Sequence, residues 1–284
     1  MKFSETRLDI FKTRDGLSLD IHIWEPDSPK AVMLAVHGGL AHAGDYVTPA
    51  LFFKNKGIAT IAYDLRGHKQ KKVCIDSFEQ FLEDTGEFLN WVEDLYPDLP
   101  IFYLGHSVGA LIGTQIGLRS LETASRIKGY IFSSPYYQNA IKVNFLIIPM
   151  IKFLSKIFPN VPIPSQDITE LLTHDKTITL RHRQDERDGK RALKASIRFG
   201  SELFRAQDWV KVNIQKWAHP LFAVVAGNDQ VADTKESLRL LKKINPELMT
   251  CIVHGDNFHE NFNEVNREET FNRIYDWMKT LIAI

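Results

Sequence analysis

The sequence predicts an α/β protein in which a mostly parallel sheet is wrapped by helices and interrupted by a helical insertion. Three observations carry this reading. Short apolar runs at 31–36, 58–63, 101–104 and around 130–132 alternate with segments of helical spacing, the rhythm of a parallel sheet. The rhythm stops between 134 and 218, where no strand is evident, and resumes with apolar runs at 221–226 and 249–253. Within 101–117 an apolar run passes through Gly105-His106-Ser107-Val108-Gly109 directly into a segment rich in small residues.

Taken in order, residues 8–13 and 17–24 cluster apolar side chains on either side of Arg14-Asp15-Gly16, a hairpin signal. The run AVMLAV at 31–36 is apolar throughout, as a strand covered on both faces must be, and it ends in His37-Gly38-Gly39. A helix over 46–56 is closed by Gly57. The strand at 58–63 leads into Asp64-Leu65-Arg66-Gly67-His68. Ser77 reads as an N-cap with Gln80 as its capping-box partner. Phe78, Phe81, Leu82, Thr85, Leu89 and Val92 then recur at helical spacing to about Tyr96, where Pro97 and Pro100 stop the helix. In the insertion, 143–158 is apolar with Lys152 and Lys156 on one side, 173–191 is highly charged, and 192–209 reads as helix. Helices over 234–243 and 268–282 complete the alternation, so 1–133 with 219–284 form a core and 134–218 a helical cap.

Bulk properties narrow the function. Lys+Arg and Asp+Glu are equal at 35 each, which removes the electrostatic case for nucleic-acid binding. A chain with 44% hydrophobic and 25% charged residues is not disordered. Cys74 and Cys251, the two cysteines, are far apart and lack metal-ligand spacing, which predicts a reducing compartment and no metal. The opening MKFSETRLDIF lacks the apolar core of a signal peptide and no run is long enough to span a bilayer, so the expected location is cytoplasmic.

The order of residues around Ser107 has a chemical reason. A serine hydroxyl is a poor nucleophile unless it is held proud of the surface beside a base and beside donors for the developing oxyanion. A sharp strand-to-helix turn does this. Gly105 and Gly109 remove the Cβ atoms that would collide around Ser107, and the helix N-terminus contributes its partial positive charge. Ligands in an open parallel sheet sit at the carboxyl ends of the strands. The loops to weigh are therefore His37-Gly38-Gly39, Asp64, His106-Ser107, Asn228-Asp229 and 254–259. An acid and a histidine occur in the last two loops, in the chain order Ser, Asp, His. Asp233 and Asp256 compete with Asp229 as the acid, and His254 competes with His259 as the base.

With these motifs in view, the chain resembles the α/β-hydrolases, and within them the monoacylglycerol lipase and lysophospholipase branch of the serine aminopeptidase S33 type. The likeness runs over nearly the whole chain. Its markers are His37-Gly38-Gly39, Tyr63-Asp64-Leu65-Arg66-Gly67-His68, the Gly105–Gly109 pentapeptide and Ala226-Gly227-Asn228-Asp229. The cap adds Phe158-Pro159-Asn160-Val161-Pro162 and Leu171-Leu172-Thr173-His174-Asp175, and the tail adds Phe258-His259-Glu260-Asn261-Phe262-Asn263-Glu264.

The resemblance implies an eight-stranded, mostly parallel sheet with helices on both faces. It makes Ser107 the nucleophile, Asp229 the acid and His259 the base, without cofactor or metal. Asp233 has a competing account as an N-cap with Glu236 as its partner, and His254 lacks the Glu-x-x-x-Glu continuation that follows His259. The oxyanion donors implied are the backbone N–H groups of Val108 and Gly39, with Leu40 as the fallback for Gly39. His37 and His106 are read as supports for their turns and His68 as the pin of its own loop.

The chain departs from the family pattern where Lys69-Gln70-Lys71-Lys72-Val73-Cys74 replaces a glycine and small polar residues, and where Ala110 follows Gly109 in place of a second glycine. The basic loop reads as a solvated rim, with attraction of an anionic headgroup as the alternative. The apolar cap stretch both closes the core and offers an acyl-chain lining, with Phe145, Ile148 and Ile151 as candidate substrate contacts and Pro149 kinking or starting a helix.

The expected activity is that of a carboxylic ester hydrolase of class EC 3.1.1 acting on monoacylglycerol or lysophospholipid, with transient membrane-surface contact through the cap. Two alternatives stand beside it. One is a capped hydrolase acting on peptide N-termini, with Asp185-Glu186 as the candidate amine holder, or on acyl thioesters. The other is a catalytically retired lipid-binding module.

Overall fold

The computed structural model describes residues 4–282 apart from 70, 120, 142, 145 and 164–166, and of Leu121 the backbone only. The chain opens with β1 (Arg7–Lys12) and β2 (Ser18–Trp24), an antiparallel pair turning at Gly16, whose φ is 86°. Then follow β3 (Ala31–Val36), α1 (Val47–Lys54), β4 (Ile58–Tyr63), β5 (Lys72–Val73), α2 (Glu79–Leu95) and β6 (Ile101–His106). Next come α3 (Val108–Arg119), α4 (Leu121–Ser125) and β7 (Ile127–Ser133). Between β7 and the next strand of the main sheet lie α5 (Ile148–Ile157), α6 (Lys176–Arg187), β8 (Lys194–Ala195) and α7 (Ile197–Asn213). The chain finishes with β9 (Leu221–Ala226), α8 (Thr234–Leu241), β10 (Met249–His254) and α9 (Arg267–Leu281).

Eight strands form one sheet in the order β1-β2-β4-β3-β6-β7-β9-β10, antiparallel at β1/β2 and β2/β4 and parallel elsewhere. This is the α/β-hydrolase fold. Alternation along β3 shows how the sheet divides two cores. Val32, Leu34 and Val36 point to the face packed by α2, α3 and α7, while Met33 and Ala35 point to the face packed by α1 and α9. All six residues of β3, β4 and β9 are buried, as strands covered on both faces require.

Several local signals act as their chemistry dictates. Gly57 takes φ 80° just past α1, and Asp233 caps α8 by accepting from Glu236 N at 2.9 Å. The Glu236 carboxylate, however, pairs with Arg239 rather than closing a capping box. Ser77 Oγ accepts from Glu79 N at 3.1 Å, and Gln80 Oε1 accepts from Ser77 N at 3.4 Å, so this pair caps the turn that leads into α2. Pro149 lies in the first turn of α5, where its missing N–H has no partner to lose, so it starts the helix and does not kink it.

The stretch 134–218 does contain a strand. Two-residue β8 pairs in parallel with β5, joining the basic loop after β4 to the segment before α7. The loop is therefore a structural tie. Lys71 O accepts from Leu193 N, Lys72 Nζ donates to Asn160 O, and Lys69 pairs with Asp20.

Candidate active site

β6 delivers Ser107 and α3 takes the chain away at once. Ser107 sits at φ 53°, in the left-handed region that side chains with a Cβ seldom adopt. Its N–H donates to Ser133 O and its carbonyl accepts from Leu111 N and Tyr136 N, so the strained residue is held from three elements. The two glycines are required by close approach. A Cβ on Gly109 would lie 1.9 Å from Val36 O, and one on Gly105 would lie 2.8 Å from Ala110 N.

The last two loops of the sheet meet here. His259 Nδ1 lies 2.8 Å from Asp229 Oδ2, with both side chains almost wholly buried. The other oxygen of Asp229 accepts from Val231 N at 2.8 Å and Ala232 N at 2.9 Å. Burial opposes ionisation of Asp229, but the His259 ring and the two amides hold its carboxyl below the usual range. With Asp229 ionised, Nδ1 of His259 carries the proton and Nε2 keeps a lone pair. The His259 ring packs against that of His106, centroids 4.7 Å apart, which sets it beside the residue preceding Ser107.

The candidate oxyanion donors also come together. A Cβ on Gly39 would lie 3.3 Å from Val108 Cγ2, so the loop after β3 lies against the first residue of α3. Among the described residues neither amide donates a hydrogen bond within the protein. Leu40 follows at φ 61°, turning the loop away.

The remaining histidines and acids have other partners. His37 Nδ1 donates to Gly38 O at 2.7 Å and Nε2 accepts from Leu65 N at 2.9 Å, which fixes a neutral tautomer and ties two strand ends together. Burial pushes His37 far down and lowers His68 and His106 each to about 4. His68 Nδ1 bonds Arg66 O within its own loop, and Arg66 grips Asp84 with two bonds of 2.5–2.6 Å. His254 Nε2 is bonded to Thr270 Oγ1 at 2.8 Å, on α9. Asp256 is exposed. Ile148 and Ile151 are half-buried on α5, and Phe145 lies outside the described residues.

A buried charged cluster adjoins the site. Asp185 is buried: its carboxylate lies 3.4 Å from His42 Nε2 and 3.7 Å from Lys190 Nζ. Asp45 faces Arg191 at 2.5 Å and Arg181 at 3.5 Å. Glu260, next to His259, binds His182 Nε2 at 2.9 Å and accepts from Asn263 Nδ2 at 2.8 Å. Burial opposes the charge on Glu260, yet His182 and Arg191 hold its carboxyl far below the usual range. Glu264, fully buried, accepts from Phe258 N and His174 and so closes the loop around His259. The Glu-x-x-x-Glu spacing after His259 was the signal available for Glu260 and Glu264. For the pairing of His182 with Glu260 and of Arg191 with Asp45 no local pattern exists, because these partners lie far apart along the chain.

His42, Asp45 and Asp185 lie close enough to hold a cation, as do His22, His42 and Asp64. Their chemistry argues otherwise for the first set. His42 Nδ1 accepts from Gly44 N, so Nε2 carries the proton toward Asp185 and has no lone pair to offer a metal.

The chain matches the family model described as serine aminopeptidase, S33, over residues 27–266. Phospholipase YtpA of Bacillus subtilis is 26% identical over 252 residues, covering 87% of this chain and 95% of its own. The monoglyceride lipase of Rattus norvegicus is 25% identical over 277 residues, covering 95% of this chain and 89% of its own. Among solved structures, a soluble variant of monoglyceride lipase from Saccharomyces cerevisiae in complex with a substrate analog superposes with a TM-score of 0.88. It has 19% identity and covers 100% of this chain and 99% of that one.

Proposed function

Because the chain belongs to the serine aminopeptidase S33 family of α/β-hydrolase-fold hydrolases, we propose that it cleaves carboxylic esters of single-chain lipids, monoacylglycerol or lysophospholipid, through an acyl-enzyme on Ser107. The observation that supports this most is the His259–Asp229 pair, set at the strained Ser107 turn with its Nε2 left free to accept a proton.

In this reading Ser107 Oγ attacks the ester carbonyl carbon and its proton passes to His259 Nε2, while Asp229 holds the imidazolium by Nδ1. The oxyanion is received by the N–H groups of Gly39 and Val108. His259 then gives the proton to the departing alkoxide. Water gives a proton to the same nitrogen as its oxygen attacks the acyl carbonyl, and His259 returns that proton to Ser107 Oγ as the fatty acid departs.

The cap of the proposal is 134–218. Ile148 and Ile151 of α5 line the acyl chain, and the exposed face of α5 (Met150, Phe153 and Ile157) meets the lipid surface. No helix among the described residues is long and apolar enough to cross a membrane. The reading as a peptidase loses its amine holder, since Asp185 is already engaged with His42 and Lys190.

The test is burst kinetics on p-nitrophenyl esters and labelling by a fluorophosphonate probe. Both are expected in the native chain and absent in Ser107→Ala; full turnover by that variant, or no labelling of folded native protein, overturns the proposal. Aminoacyl amides and glyceryl esters compared on one preparation separate peptidase from lipase.

A further inference from the structure

The histidine loop is gripped by one half of the insertion. On one side of His259, Phe258 stacks on the ring of His174, with centroids 3.8 Å apart, and Phe258 N donates to Glu264 Oε1, which also binds His174 Nδ1. On the other side, Glu260 N donates to Leu172 O at 2.8 Å, and its carboxylate binds His182. Further along, Thr173 Oγ1 donates to Asn263 O at 2.8 Å and Arg267 pairs with Asp175 at 2.7 Å. Residues 172–182, the start of α6 and the turn before it, thus hold both neighbours of the base.

The central pair has a fixed polarity. Arg191 Nη1 lies 3.0 Å from His182 Nδ1, and a guanidinium has only protons to offer. Nδ1 is therefore the acceptor, and Nε2–H donates to Glu260 Oε2. His182 is fully buried, so both bonds are made away from solvent. By contrast α5 packs on α7 and takes no part in these contacts.

We propose that α6 is a bracket for the base: the buried His182–Glu260 pair is a positioning device that fixes the backbone on which His259 turns toward Ser107. The inference rests on the assignment of His259 as base. A loop released from the bracket keeps the His259–Asp229 bond yet samples orientations in which Nε2 misses the serine. Substrate contacts are untouched, so the loss falls on the chemical step.

The variants are His182→Leu, which removes both bonds, and His182→Gln, whose amide can donate to Glu260 and accept from Arg191. Leu180→Ser, on the exposed face of the same helix, is the control. Each is assayed with p-nitrophenyl acetate and with the fluorophosphonate. His182→Leu is expected to lower kcat and the labelling rate by roughly ten- to a hundredfold, with KM within about twofold. His182→Gln recovers most of the loss, and Leu180→Ser shows none.

Native kcat in folded His182→Leu, or equal losses in His182→Leu and His182→Gln, overturns the bracket. Should His182→Leu not fold, Thr173→Val serves instead: a kcat loss of about threefold or more at constant KM upholds the proposal, and unchanged kcat overturns it. If native turnover does not depend on Ser107, the functional reading itself has failed; if it does and the cap variants are silent, only the bracket has.

Discussion

Asp229 performs two tasks with two oxygens, and they can be separated. Oδ1 receives the amides of Val231 and Ala232 and shapes the loop; Oδ2 receives His259. Asp229→Asn keeps an oxygen for the amides but presents an NH₂ to Nδ1, which then must accept, leaving Nε2 protonated and useless as a base. The expected result is a fall in kcat on the order of 10⁴ with little change in thermal midpoint, measured by ester turnover and calorimetry on the same sample. The turn at Ser107 was legible because its constraint is local: two residues on either side decide it. Asp233 shows the same kind of legibility, since a cap is written within four residues. His182 was not legible, because its meaning depends on Glu260, 78 residues later.

At the scale of elements, the short pieces were the hard ones. β5 and β8 have two residues each, too few to carry a period, and their pairing reflects the tertiary position of the cap. α6 was legible only as a highly charged stretch, since a helix that buries Arg181, His182 and Asp185 against opposite charges has no apolar stripe to reveal it. α5 is the reverse case. Its apolar residues Met150, Phe153 and Ile157 are more than half exposed. If this face enters lipid, Phe153→Asp removes about 1.5–3 kcal/mol of apolar transfer, so the vesicle-bound fraction in cosedimentation with phosphatidylcholine is expected to drop roughly tenfold or more. Equal sedimentation of the two proteins would remove α5 from the interface.

Over the whole molecule, the interior holds several imidazoles that stay neutral. His37 is pushed far down by burial, and His68 and His106 are lowered to about 4, against an unfolded value near 6.5. The sign follows from linkage. The unfolded chain takes up these protons first, so the stability they represent is fully present above pH 6.5 and is lost as pH falls toward about 4. Urea midpoints are expected to decline steadily from pH 7 to pH 5, and less steeply in His68→Gln. A flat profile over that interval would contradict the burial of neutral rings.

The two-sided sheet was legible in whole from its apolar runs, whereas the polar interior between sheet and cap was not. Hydrophobic periodicity reports what faces a core, but it says nothing about which buried charges find one another.

The grip of α6 on the histidine loop has a consequence for how the chain is made. Leu172, Thr173, His174, Asp175 and His182 all find their partners 78 to 92 residues downstream. During synthesis residues 172–175 and His182 therefore emerge without these partners, and they wait until the ribosome has released the segment beyond residue 260. A nascent chain arrested before that point should be cut by protease within 172–190, and the same cuts should vanish once the final segment has cleared the exit tunnel.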